Sequence, residues 1–148
     1  MFRYICACSF FVLTSAVLAP GFVYVPGPVP QDCLKCICDV ESNCTIPDPI
    51  CRLDGCSLSS GPYYIKHAYW MAAQQEGGQL DGDWKICSAT FHCSARAVQS
   101  YMERYAIYSQ LRRQPTCEDF ARIHNGGPRG FEKVQTLNYW EKVKDCLD

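Results

Sequence analysis

The chain lacks any excess of positive charge. Its 14 Lys and Arg stand against 15 Asp and Glu, for a formal net charge of −1. That excludes the basic footprint of a nucleic-acid binder. Charged residues are scarce at 20% and hydrophobic residues reach 48%, so the composition is globular and not disordered. Past the N-terminal stretch no apolar run approaches the about 20 residues that span a bilayer. Internal repeats and low-complexity tracts are also missing, and 148 residues suit one domain. Cysteine is what the chain has in plenty. Twelve in so short a sequence point to a secreted disulfide scaffold.

The N-terminus agrees with that compartment. Arg3 is the only charge before Asp32, residues 5–18 are apolar, and Ala16-Val17-Leu18-Ala19 offers small residues for cleavage. Residues 1–19 read as a signal peptide. Its removal takes away Arg3, Cys6 and Cys8, leaving a charge of −2 and ten cysteines. Ten is even, so no thiol need be free, but ten cysteines pair in about 945 ways and arithmetic chooses none of them. A zinc site in the cluster at 33–44 conflicts with a leader and an even count, so no metal and no cofactor are expected.

Residues 20–31, PGFVYVPGPVPQ, hold four prolines and two glycines. They read as an extended spacer, with the folded domain running over 32–148. Asp32 is placed to cap a first helix carrying Leu34, Ile37 and Val40 or Glu41, which Pro47 and Pro49 prevent from continuing. Residues 51–65, split by Gly55 and Gly61-Pro62, resemble a small hairpin. A helix is expected over 66–75 and a loop over 76–83. The strongest helical pattern runs from Ser94 to Ala106, with Ala95, Val98, Met102 and Tyr105 on one face. Thr116 caps the next helix, which passes Ile123 and ends at Gly126. Asn138 with Glu141 resembles a capping box for a last helix that buries Val143 and Leu147. The expectation is a mainly helical α+β domain with a small β-hairpin lobe, its modest core supplemented by disulfides.

Two acids stand out by position. Glu41 ends the first helix and Asp54 opens the hairpin, with two prolines and two cysteines between them. A segment tied that tightly can hold two carboxylates across a cleft, as a glycosidase requires: one protonated to meet the leaving oxygen, one ionised to face the oxocarbenium-like centre. Apolar neighbours at a helix end favour the neutral form of Glu41, and Arg52, Ser57 and Ser59 favour the charged form of Asp54. Two solvated surface acids remain the alternative at this level.

The segments CLKCICDVESNC (33–44), CRLD (51–54), SLSSGPYYIKHAYW (57–70), WKICSATFHCSARAVQSYMERYA (84–106), TCEDFARIHNGGPRGF (116–131) and YWEKVKDC (139–146) resemble the invertebrate-type lysozymes, the destabilase-related family. The resemblance covers nearly all of 32–148. It implies a lysozyme-like fold with a sugar cleft between a helical lobe and a small β lobe. The substrate it implies is the β-1,4 bond of bacterial peptidoglycan between N-acetylmuramic acid and N-acetylglucosamine. Glu41 takes the place of the family's proton donor and Asp54 that of its second carboxylate. The family is described as retaining, which implies carboxyl groups about 5–5.5 Å apart.

Lys66, Tyr69 and Trp70 match the family's cleft-lining segment, with core packing as the alternative for the two aromatics. His124, Asn125, Gly126, Gly127 and Pro128 match its second cleft wall, where glycine lets backbone approach a sugar. A plain helix C-cap and turn is the alternative there. Some members are reported to cleave ε-(γ-glutamyl)-lysine isopeptide bonds with a Ser/Lys pair and a His. Ser57, Lys66 and His124 hold those positions, with an ordinary turn serine and a charged lysine as the alternative. A third reading is a non-catalytic peptidoglycan-binding antimicrobial scaffold.

The chain also departs from the family. Ser60, Ala73, Ala97, Arg113 and Phe131 stand at family cysteine positions, and Cys56 is an addition. The resemblance then implies five bridges: Cys33–Cys117, Cys36–Cys146, Cys38–Cys44, Cys51–Cys56 and Cys87–Cys93. Tyr64 replaces the usual Gln and Ala72 the usual Asp, both in the cleft segment. The expected product is a secreted extracellular monomer with no nucleic-acid partner and no membrane span once processed. A charge near −2 gives no attraction to anionic bacterial envelopes at neutral pH, which points to a gut lumen or another acidic compartment.

Overall fold

The computed structural model describes residues 22–55, 57–74, 80 and 82–148. The expected leader and most of the expected 76–83 loop lie outside the described residues.

The first helix, α1 (Gln31–Ser42), buries Leu34 and Ile37 completely, one turn apart on its inner face. It stops where Asn43 turns into the left-handed region at φ 55°, a conformation asparagine tolerates better than most residues. Asp32 lies inside the first turn, and Pro30 occupies the cap position.

Three short strands follow: β1 (Cys51–Asp54), β2 (Ser57–Ser60) and β3 (Ile65–Lys66), antiparallel in that spatial order. The hairpin is there, with a third strand added. Its register pairs Arg52 with Ser59 and Ser59 with Lys66, while Asp54 pairs with Ser57. Side chains alternate along strands, so these residues share one face of the sheet. Gly61, at φ 74°, leaves β2 against the backbone of the third helix, where an added Cβ would sit 1.6 Å from the Ser88 carbonyl oxygen. Only glycine fits that approach.

Five helices complete the helical side: α2 (His67–Ala73), α3 (Trp84–Ser88), α4 (Phe91–Tyr105), α5 (Tyr108–Leu111) and α6 (Cys117–Gly126). Two 3-10 turns then lead into α7 (Leu137–Leu147). The Thr90 hydroxyl accepts from the Cys93 amide, which starts α4 a turn earlier than hydrophobic spacing indicates. Thr116 and Asp119 form the reciprocal box that opens α6. The expected box on α7 is absent: Thr136 precedes that helix without a side-chain cap, and Leu147 is exposed while Val143 is buried. The core joins Leu34 and Ile37 to Val98 and Met102 of α4, Phe120 and Ile123 of α6, and Val143.

Two expectations need correcting. The segment at 22–30 is extended, but it is no spacer. Val25 and Val29 are buried, and the buried amide of Gln99 accepts from the Val29 amide at 2.8 Å while donating to both valine carbonyls at 3.0 Å. One α4 side chain meets three backbone groups; the Val25 carbonyl also accepts from Gln31 Nε2 at 2.8 Å, and the two Val29 groups depend on Gln99.

The second correction concerns the bridges. Cys33–Cys117, Cys36–Cys146, Cys38–Cys44 and Cys87–Cys93 form. The expected Cys51–Cys56 bridge does not, because Cys51 carries a free thiol; Cys56 itself lies outside the described residues.

Candidate active site

A cleft of about 670 Å³ opens between the sheet and the helices. Glu41 at the end of α1 and Asp54 at the end of β1 both line it, together with Lys66, Tyr69 and His124. The stretch from Asn125 to Pro128 forms part of the far wall. Gly126 closes α6 and Gly127 turns at φ 82°, so the helix end and the cleft wall are the same feature.

The two carboxylates have opposite surroundings. Asp54 lies on the sheet face carrying Arg52, Ser59 and Lys66. The Lys66 ammonium is 3.1 Å from Asp54 Oδ2, and the Ser59 hydroxyl donates to the same oxygen at 3.3 Å. The Lys66 hydrogen bond outweighs the opposing effect of partial burial and, with Ser59 and the nearby Arg52 charge, holds this carboxyl below the usual range.

Glu41 is far less exposed, its side chain retaining 13% of its accessible surface. Its nearest basic group is His124, with Nε2 at 3.5 Å from Oε1. That same Nε2 lies 3.2 Å from the Tyr63 carbonyl oxygen, and Nδ1 lies 3.1 Å from the Tyr69 hydroxyl. A carbonyl only accepts, so Nε2 carries hydrogen. In the neutral ring Nδ1 is then the acceptor, and the Tyr69 phenol donates to it. Tyr69 is stacked on Tyr101 with ring centroids 3.7 Å apart, and burial raises its pKa well above the phenol range, so it keeps its proton. Tyr139 of α7 also lines the cleft. Its buried hydroxyl faces Glu41, to which it is close enough to donate. Burial first, and then the Glu41 charge, raise its pKa too. The acid is thus framed by aromatic rings and an imidazole of defined tautomer.

The remaining sequence candidates separate. Trp70 is placed outside the cleft: its indole packs against the core, with His67 at 6.0 Å and its buried N–H unpartnered among the described residues. Ser57, Lys66 and His124 are not assembled into a triad. Lys66 is engaged by Asp54, the hydroxyl reaching that pair is Ser59, and both nitrogens of His124 are committed elsewhere. Tyr101, Tyr105, Tyr139 and Lys142 line the cleft without having been singled out from the sequence. Hydrophobic spacing puts Tyr105 on the buried face of its helix, and no spacing rule tells a core tyrosine from one that also lines a groove.

A family model described as Destabilase matches residues 30–146. An invertebrate-type lysozyme of Ruditapes philippinarum is 44% identical over 129 residues, covering 85% of this chain and 90% of that protein. The crystal structure of Tapes japonica lysozyme superposes with a TM-score of 0.69 at 43% identity, covering 82% of this chain and 93% of that one. The inhibitor-bound lysozyme from Meretrix lusoria gives a TM-score of 0.72 at 42% identity, with the same coverage. With this cleft, this fold and these relatives, the chain belongs to the destabilase family, the invertebrate-type lysozymes, and is an enzyme of lysozyme type.

Proposed function

We propose that this protein hydrolyses the β-1,4 bond between N-acetylmuramic acid and N-acetylglucosamine in bacterial peptidoglycan, with Glu41 as general acid and Asp54 as nucleophile or ion stabiliser. The observation that carries this reading is the contrast between the two carboxyl settings in one cleft. A cation and a hydroxyl hold Asp54 toward its ionised form, whereas Glu41 is enclosed by phenol rings and the His124 imidazole. Two carboxyl groups in unlike settings across one cleft are what acid-assisted glycoside cleavage needs.

In the reaction Glu41 passes its proton to the glycosidic oxygen as the bond to the anomeric carbon breaks. Asp54 meets the positive charge developing at that carbon. Glu41, now ionised, takes a proton from the incoming water, which releases the second sugar. His124, aligned by Tyr69, fixes the direction of the Glu41 carboxyl throughout. The leader-like N-terminus and four disulfides support secretion into an oxidising space, and antibacterial defence or digestion of bacteria is the role such a product serves.

The purified protein is expected to clear a suspension of bacterial cell walls. Glu41→Gln is expected to lower the rate by about 10²–10⁴-fold with an unchanged circular dichroism spectrum. Full activity in that variant removes Glu41 from the role.

A further inference from the structure

Arg52 is a cation of this cleft that acts on Asp54 through its charge and makes no direct contact with either carboxylate. It follows Cys51 on β1 and shares the sheet face of Asp54, two residues away. Lys66 is consumed by Asp54, whereas the Arg52 guanidinium makes no hydrogen bond or ion pair with any described residue. Its central carbon sits over the Tyr64 ring, 3.4 Å from the ring centroid. Both side chains line the cleft.

Tyr64 itself is held unusually. Its φ is 44°, the left-handed region that a bulky aromatic residue rarely adopts. Its amide donates to the Gly61 carbonyl at 3.0 Å, closing the turn between β2 and β3. A backbone outlier beside a cleft argues from geometry toward function. Here it sets a ring under a guanidinium. Stacking uses the face of an arginine and leaves its N–H fork, in the plane of the group, open for hydrogen bonds. A planar, pre-set and unpaired fork opening into a glycan groove matches a carboxylate, which it binds through two parallel hydrogen bonds.

We propose that Arg52, positioned by Tyr64, is a carboxylate-recognition site that makes this cleft selective for acidic glycan over neutral glycan. The proposal rests on the glycosidase reading and names its substrate class. Peptidoglycan offers such carboxylates from two sources: its peptide stems, and the lactyl groups of muramic acid where stems are absent.

The experiment compares soluble peptidoglycan fragments with and without stems, each before and after carbodiimide coupling of its carboxylates to ethanolamine. The wild type is expected to prefer the free acids over the amidated glycans in kcat/KM. Arg52→Gln is expected to cut that preference about tenfold, the size of one lost charge-assisted contact. Arg52→Lys should not restore it, since an ammonium lacks the fork. Tyr64→Gln should cost part of the preference, and the double variant should be no worse than Arg52→Gln alone, as for a residue acting through its neighbour. Loss confined to stem-bearing fragments assigns the stem carboxylate; loss confined to stem-free strands assigns the lactyl group.

An equal fall on free and amidated glycans overturns the proposal and leaves Arg52 as a charge acting on Asp54. So does an unaltered preference. The same four glycans titrated calorimetrically into Glu41→Gln, alone and combined with Arg52→Gln, give the selectivity without turnover. Binding selectivity in a protein that cleaves nothing overturns the glycosidase reading alone.

Discussion

Asp54 and Lys66 meet at 3.1 Å with about half of each side chain exposed, 53% and 44% respectively. An ion pair so open to water contributes at most about 1 kcal/mol to folding, so its weight falls on the ionisation of Asp54. The Lys66 hydrogen bond is the foremost cause that lowers this carboxyl. Lys66→Met therefore raises the Asp54 pKa toward its ordinary value. Since the reaction needs Asp54 ionised, the acidic limb of the kcat/KM profile is expected to move to higher pH. A limb that stays in place separates Lys66 from the ionisation of Asp54. At this scale the motif made Glu41 and Asp54 legible, because the family places an acid at each position. The partners of those acids were less so. Tyr69 belonged to a recognisable segment, but its donation to His124 depends on two helices meeting, and Tyr139 reaches the site from a helix almost a hundred residues beyond Glu41 in the chain.

At the scale of elements, α6 is the best-specified helix and holds His124 in place. Thr116 offers its amide and hydroxyl to Asp119 at 2.8 and 3.0 Å, and Arg113 closes on the same carboxylate with both guanidinium nitrogens. Burial pushes the Asp119 carboxyl up, yet these donors prevail and its pKa ends below the ordinary value. A carboxyl lowered on folding adds stability above its unfolded pKa of about 3.9, and that contribution disappears as pH falls through the folded value. Asp119→Asn is expected to lower stability at neutral pH by about 1–2 kcal/mol. The gap to wild type should narrow below about pH 4, as read in urea titrations at several pH values. The cap was legible in the sequence through Thr116, while its reciprocal partner Asp119 came from the structure. The Gln99 bracket was not legible, because it spans 70 residues and uses a glutamine within a helical pattern. Gln99→Leu leaves the Val29 amide and carbonyl without their partner, each worth about 1–3 kcal/mol when buried, while the Val25 carbonyl keeps Gln31. Faster proteolysis within 22–30 is the expected result, with circular dichroism of the helices little changed. Equal protease resistance argues that packing of Val25 and Val29 alone holds the segment.

For the molecule as a whole, the bridges and the site form one arrangement. α1 carries Glu41 and is tied by Cys33 to Cys117 at the start of α6, and by Cys36 to Cys146 near the end of α7. Those two helices supply His124 and Tyr139, so the neighbours of the acid come from elements linked covalently to its own helix. Cysteine counting could not have selected this pairing; resemblance did, and it failed at Cys51, where this chain departs from the family. Net charge is the other property of the whole chain. Without its leader the protein carries about −2 at neutral pH, and acidification brings that small excess to zero and then to positive charge. Bacterial envelopes are anionic, so long-range attraction begins only on the acidic side of neutrality. We expect the clearing rate at low ionic strength to peak near pH 5. Salt at 0.15 M, which shortens the screening length to about 8 Å, should slow the reaction at pH 5 and leave it little changed, or faster, at pH 7, where protein and wall repel. An optimum at neutral pH in moderate salt excludes this account and with it the assignment to an acidic compartment, because a protein working there gains nothing from so few cationic groups.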